Sequence, residues 1–210
     1  MKTLFTLLIT GSFVFCVTAD VVEIGPVQDA YICCCKPDST NPNGGENFLY
    51  HGQYGTCYDR TLIQWELSDI PAGATITDAE MQLYCEAFYG SHSGEPVYYL
   101  IEESWDEQTV TFNTQPNYSS VITTTGYWPE VDEWYVVNIT EFVVEWFSGN
   151  EDNFGLYCHS QNTTGTCVPG FYSSNYSISN MRPKLIVTYD PLQLSVNTWA
   201  SIKHYCDLLQ

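Results

Sequence analysis

Apolar and polar residues alternate with a period of two along much of this chain. In EMQLYCEAF, residues 80–88, Met81, Leu83, Cys85 and Ala87 share one face, while Gln82, Tyr84 and Glu86 share the other. Alternation of this kind marks a strand with one buried face. Comparable runs cover Thr61 to Leu67, Val97 to Glu102, Tyr135 to Ile139, Phe154 to Cys158 and Lys184 to Tyr189, with Gly and Pro turn signals between them. Many short strands punctuated in this way predict an all-β antiparallel sandwich. Two segments follow a helical period instead. Phe142, Val143, Trp146 and Phe147 form one apolar stripe, with Thr140 as the expected N-cap and Gly149 as the stop. In residues 195–209, Trp199, Ile202, Cys206 and Leu209 form another, which predicts a short C-terminal helical tail.

The first 19 residues read differently from the rest. Lys2 precedes an apolar run from Leu4 to Val17, and Val17-Thr18-Ala19 leads into Asp20. A basic start, an apolar centre and small residues before a cut are the marks of a secretory signal peptide. The apolar run is shorter than a membrane span requires, and no comparable run follows. The expected product is one secreted, extracellular domain over residues 20–190 with a tail over 191–210.

Composition adds mainly exclusions. Removing Lys2 with the leader leaves five basic residues against 25 acidic ones, a net charge of −20. Such a surface repels nucleic acid and anionic lipid, so neither is an expected partner. A polyanionic glycan is disfavoured for the same reason unless a divalent cation mediates. The four histidines, 51, 92, 159 and 204, lie in separate segments, and neither His-Glu-x-x-His nor Gly-x-Ser-x-Gly occurs. No catalytic constellation is visible, and the chain is not expected to be an enzyme.

Several blocks taken in order resemble the DNRLRE domains, a carbohydrate-binding module family that includes disaggregatase-related proteins. They are QDAYI (28–32), RTLIQWELSDIPAGATITDAEMQLYC (60–85), SWDEQTVTFNTQP (104–116), VNITEFVVEWFSGNEDNFGLYC (137–158) and FYSSNYSISNMRPKLIVTYD (171–190). The resemblance covers nearly all of residues 27–190. It implies a secreted, jelly-roll-like β-sandwich that binds a polysaccharide without catalysis. The alternative is a structural or adhesion domain of an extracellular assembly that binds no glycan.

Sugar recognition requires flat aromatic faces beside polar groups that orient hydroxyls. The loop GYWPEVDEWY offers Tyr127, Trp128 and Trp134, with Glu130, Asp132 and Glu133 as acceptors, and QYGTCYDR offers Tyr54 and Tyr58. For each ring the competing reading is edge packing. A structural calcium is a further expectation. Asp29, Asp38, Asn41, Asn43, Glu46 and Asn47 supply the oxygen donors that calcium prefers, although Asn, Asp and Gly also build ordinary turns.

Eight cysteines remain after Cys16 leaves with the leader: Cys33, Cys34, Cys35, Cys57, Cys85, Cys158, Cys167 and Cys206. An even number in a secreted chain predicts disulfides. On an extended strand Cys33 and Cys35 would share a face and Cys34 would take the other, which argues against a shared metal and against bonds among the three. Cys158 and Cys167 flank HSQNTTGT and are expected to pair across a hairpin. Cys57, Cys85 and Cys206 are then left for the three adjacent cysteines, in six matchings. The competing reading makes some of them buried free thiols.

Overall fold

A computed structural model of the protein describes residues 19–41, 45–124, 127–161 and 163–191. The expected leader apart from Ala19, the expected helical tail beyond Pro191, Asn43 and Cys206 lie outside the described residues. Among the described residues twelve strands run β1 (Asp20–Ile24), β2 (Pro26–Cys33), β3 (Phe48–Tyr50), β4 (Gly52–Tyr54), β5 (Cys57–Trp65), β6 (Thr75–Gly90), β7 (Glu95–Ile101), β8 (Tyr118–Thr124), β9 (Glu133–Asn138), β10 (Leu156–Gln161), β11 (Cys167–Tyr172) and β12 (Lys184–Asp190). Among the described residues one α-helix, α1 (Thr140–Ser148), lies between β9 and β10. The pairings among these strands are antiparallel. The fold is the expected all-β, jelly-roll-like sandwich. Among the described residues no helix is long and apolar enough to cross a membrane.

The long strand β6 is the spine of the first sheet. Residues 75–82 pair with β12, residues 85–90 pair with β11 along the same edge, and residues 80–85 pair with β9 on the other edge. β1 extends the sheet beyond β12, and β3 extends it beyond β11. The second sheet places β5 between β2 and β10, followed by β7 and β8. The short strand β4 touches both β11 and β5, so hydrogen bonding continues around one corner from sheet to sheet.

The alternation read from the sequence decides what lies between the sheets. Ala79, Met81, Leu83 and Cys85 of β6 face inward onto Tyr31, Ile63 and Trp65 of β2 and β5, all buried. The hydroxyl of Tyr98 on β7 donates to that of Tyr135 on β9 at 2.8 Å, a buried polar tie between the two sheets. His51, between β3 and β4, is fully enclosed and stacks on Phe171 at 5.1 Å. Burial lowers its imidazole to about 3, so it sits in the core as a neutral ring. A second apolar cluster, with Ile32, Leu62, Ile101, Val110 and Tyr157, lies outside the second sheet. Trp105 and Phe112 of the segment between β7 and β8 cover it.

The helix begins and ends almost as its sequence implies, with one correction. Gly149 has φ 75° and directs its N–H to the carbonyls of Glu145 and Trp146, the left-handed stop that glycine permits. Thr140 is not the cap; it is the first helical residue, and Ile139 precedes it. Its hydroxyl is drawn instead into the sheet, where it accepts the Ala79 N–H at 2.8 Å.

Candidate functional site

Where β6 faces away from the core it carries Glu80, Gln82, Tyr84 and Glu86, and its neighbours bring rings to the same surface. Trp134 of β9 is in register with Tyr84, their rings 5.5 Å apart and nearly perpendicular. Tyr172 of β11 lies parallel to Tyr84 within 14° at 5.8 Å. Phe48 of β3 is in register with Tyr172 at 5.9 Å, and Tyr176 stacks on Tyr172 at 3.5 Å. Phe48, Tyr50 and Tyr89 extend the series, each step 6.3 Å. The result is an aromatic band across β9, β6, β11 and β3, about 14 Å wide at the usual strand spacing.

Polar groups punctuate the band. Glu86 sits among Tyr50, Tyr89 and Tyr172, and its carboxyl is held above the usual range by desolvation and by the charge of Asp132. The Tyr84 hydroxyl donates to the Asp132 carbonyl at 3.0 Å. At the far end Lys184 covers one face of Trp134 at 4.7 Å and reaches Glu23 at 3.3 Å. Gly170 keeps the floor low, because a Cβ there would stand 2.7 Å from the Tyr50 ring.

The residues singled out in the sequence are dispersed. Trp134 and Asp132 belong to the band. Tyr127, 53% exposed, stands at the β9 edge, where its hydroxyl donates to the Val136 carbonyl. Trp128 is a correction: it is only 6% exposed and lies inside the sandwich end beside His51 and Phe88. Its indole N–H is used by the carbonyls of Ser93 and Gly94, at 3.1 and 3.2 Å. The Trp-Pro pair looks like a loop tip in sequence, but the loop folds its ring under. Tyr54 is 61% exposed at the β4–β5 turn. Tyr58 is on the outer face of the second sheet, 5.4 Å from His159 and under the Arg60 guanidinium.

Sequence reasoning passed over Tyr84, Tyr172, Tyr176 and Phe48. One signal was available: Tyr84 is an aromatic on the polar face of an otherwise amphipathic strand, where packing does not call for a ring.

The residues expected around calcium divide into two groups. Asp29 is buried and accepts the Ser174 N–H at 2.7 Å and the Ser174 hydroxyl at 3.1 Å, while its own N–H donates to Glu107. The Asn41 side chain accepts the Tyr31 N–H at 2.9 Å. Asn41 and Glu46 line a polar cleft of about 500 Å³ with Glu107 and Asn175. Asp38 is elsewhere, bonded to Asn113 at 2.7 Å. Here the oxygens of Asp29 and Asn41 tie two loops, those after β11 and after β2, to strand β2.

The cysteine scheme changes more. Cys34 and Cys57 form a disulfide, one of the expected matchings. Cys158 and Cys167 do not pair; both are buried thiols. The segment between them is no hairpin, since β10 pairs with β5 and β7 while β11 pairs with β6, β3 and β4. The chain crosses from one sheet to the other there. Cys33, Cys35 and Cys85 are also thiols. Burial pushes Cys85 up to about 12 and Cys167 up to about 11, so both stay protonated as small apolar side chains. Cys33 and Cys35 do not share a strand face, because the extended backbone ends at Cys33. The Lys36 N–H closes a turn onto the Cys33 carbonyl at 3.1 Å.

A sheet face that carries rings offers flat surfaces for stacking. The model of carbohydrate-binding module family 96 matches residues 20–189. The chain belongs to that family. The match begins at the first strand and ends within the last, so the family pattern takes in both sheets and the whole aromatic band. A comparison with curated proteins finds no match.

Proposed function

We propose that the protein is a secreted, non-catalytic carbohydrate-binding module whose glycan lies along the band formed by Trp134, Tyr84, Tyr172, Tyr176 and Phe48. The ordered sequence blocks favour the DNRLRE-type branch of such modules. The observation that carries the reading is the run of rings on four adjacent strands, on a surface that core packing does not require. Aromatic faces take the C–H surfaces of a sugar, and Glu86, Gln82 and the Asp132 loop border them with hydroxyl partners. The strongly negative charge favours a neutral or weakly charged glycan over a polyanion.

Glycan-array screening of the protein, with and without calcium, followed by calorimetric titration of the best ligand, tests this. Trp134→Ala and Tyr172→Ala should each weaken binding by about tenfold, at the upper end of what one aromatic contact contributes, while circular dichroism stays unchanged. Binding that survives both changes would move the ligand off this face. Failure to bind any glycan under either condition would favour an adhesion or structural role.

A further inference from the structure

The corner where β2 ends and β5 begins gathers four sulfur atoms. Cys34 and Cys57 are bonded, and the sulfurs of Cys33, Cys35 and Cys57 all lie within 4.8 Å of one another. The backbone holds them there from two sides. Cys33 is in register with Asp59 across the β2–β5 pair, and the Cys34 N–H donates to the Tyr58 carbonyl at 3.1 Å. The Tyr58 N–H in turn donates to the Cys34 sulfur at 3.1 Å, and the Cys35 N–H to the Cys33 sulfur at 3.2 Å. A disulfide therefore has two unbonded thiols against it, and one of them, Cys35, is exposed.

We propose that this cluster is an exchanging disulfide site, in which Cys57 passes its partner between Cys34 and Cys35. Disulfides exchange by in-line attack of a thiolate on one sulfur, with the other sulfur leaving. The Cys35 thiolate, after giving its proton to water, attacks the Cys57 sulfur. The Cys35–Cys57 bond forms as the Cys34–Cys57 bond breaks, and Cys34 departs as a thiolate that takes a proton from water. There is no net oxidation, and no external reagent is consumed. Cys33 is the bystander: burial, followed by its contact with Asp59, pushes its thiol up to about 12 and keeps it protonated. Cys35 and Cys34 differ in setting, since Cys34 receives a backbone N–H and Cys35 faces water. The exchange decides which thiol the surface offers to small thiols and alkylating reagents. Two of the three adjacent cysteines thus share one partner.

Two measurements on the full chain test this. In acid-quenched wild-type protein, peptide fragmentation should locate both Cys34–Cys57 and Cys35–Cys57 links; finding only the first overturns the proposal. In Cys34→Ser, thiols titrated under denaturing, non-reducing conditions should number one fewer than in wild type, because Cys57 pairs with Cys35. A count equal to or above that of wild type means that Cys57 is stranded, and also overturns it. If Cys34→Ser does not fold, the wild-type map alone decides.

Discussion

Replacing Asp29 with asparagine should make the fold more stable at neutral pH and remove a pH dependence that the wild type carries. The Asp29 carboxyl is enclosed between β2 and the loop after β11. Burial raises it from 3.8 to about 6; the two Ser174 hydrogen bonds pull it down, and the nearby Glu107 charge adds a little upward. A gap of about two pKa units corresponds to about 3 kcal/mol. Because the folded value lies above the unfolded one, the native state holds this proton more tightly. The associated stability is fully present below about pH 3.8 and is lost as pH rises through about 6. Asparagine cannot ionise, yet it keeps an oxygen for the Ser174 N–H and gains an N–H₂ for the Ser174 hydroxyl. Its backbone N–H to Glu107 is untouched. Denaturant unfolding of both proteins from pH 4 to 7.5 isolates the effect, because the other carboxylates cancel in the difference. The variant should gain up to about 3 kcal/mol on wild type across that range. Parallel curves would refute the burial argument. A wild type that gains on the variant as pH rises, in calcium only, would show that the carboxylate binds a cation there.

Two further outcomes separate packing from binding. Trp128→Ala should cost about 3–5 kcal/mol, as large aromatic deletions in cores do, and appear as a lower Tm, while the folded fraction keeps its glycan affinity; loss of affinity without loss of stability would return Trp128 to the binding surface. Gly90→Ala should destabilise by more than about 1 kcal/mol in thermal unfolding, because φ is +94° and the new Cβ would meet the Thr166 carbonyl oxygen; a neutral result would mean that the 90–95 turn adapts.

Long, regular elements were legible in the sequence because one periodicity governed them throughout. β6 and α1 were each recognised from a single repeating face. β11 escaped, since CVPGFY contains the proline and glycine that ordinarily mark turns. In the fold, Pro169 falls between the residues that β11 pairs with β3 and the one it pairs with β4, a place where a strand tolerates a missing N–H. Gly170 is there because the Tyr50 ring needs the space. Of the rings in the aromatic band, the sequence pointed to one. Trp134 was picked out for lying near acidic loop residues, but its neighbours Tyr172 and Phe48 arrive by strand register from distant segments. Local pattern cannot report such a meeting. The cysteine triplet misled for a related reason, because an extended backbone was assumed through residues where the chain turns.

The two faces of β6 give this module an unequal capacity for change. Odd positions from 79 to 85 are committed to the interior, and even positions from 80 to 86 to the outer surface. Substitution at the even positions can redraw what the outer face prefers while the interior goes on folding as before. Insertion or deletion of a single residue has no such freedom, since it would carry Leu83 and Cys85 outward and Tyr84 and Glu86 inward together. Relatives that diversify their ligands through this strand should therefore differ by replacement, and should keep its length.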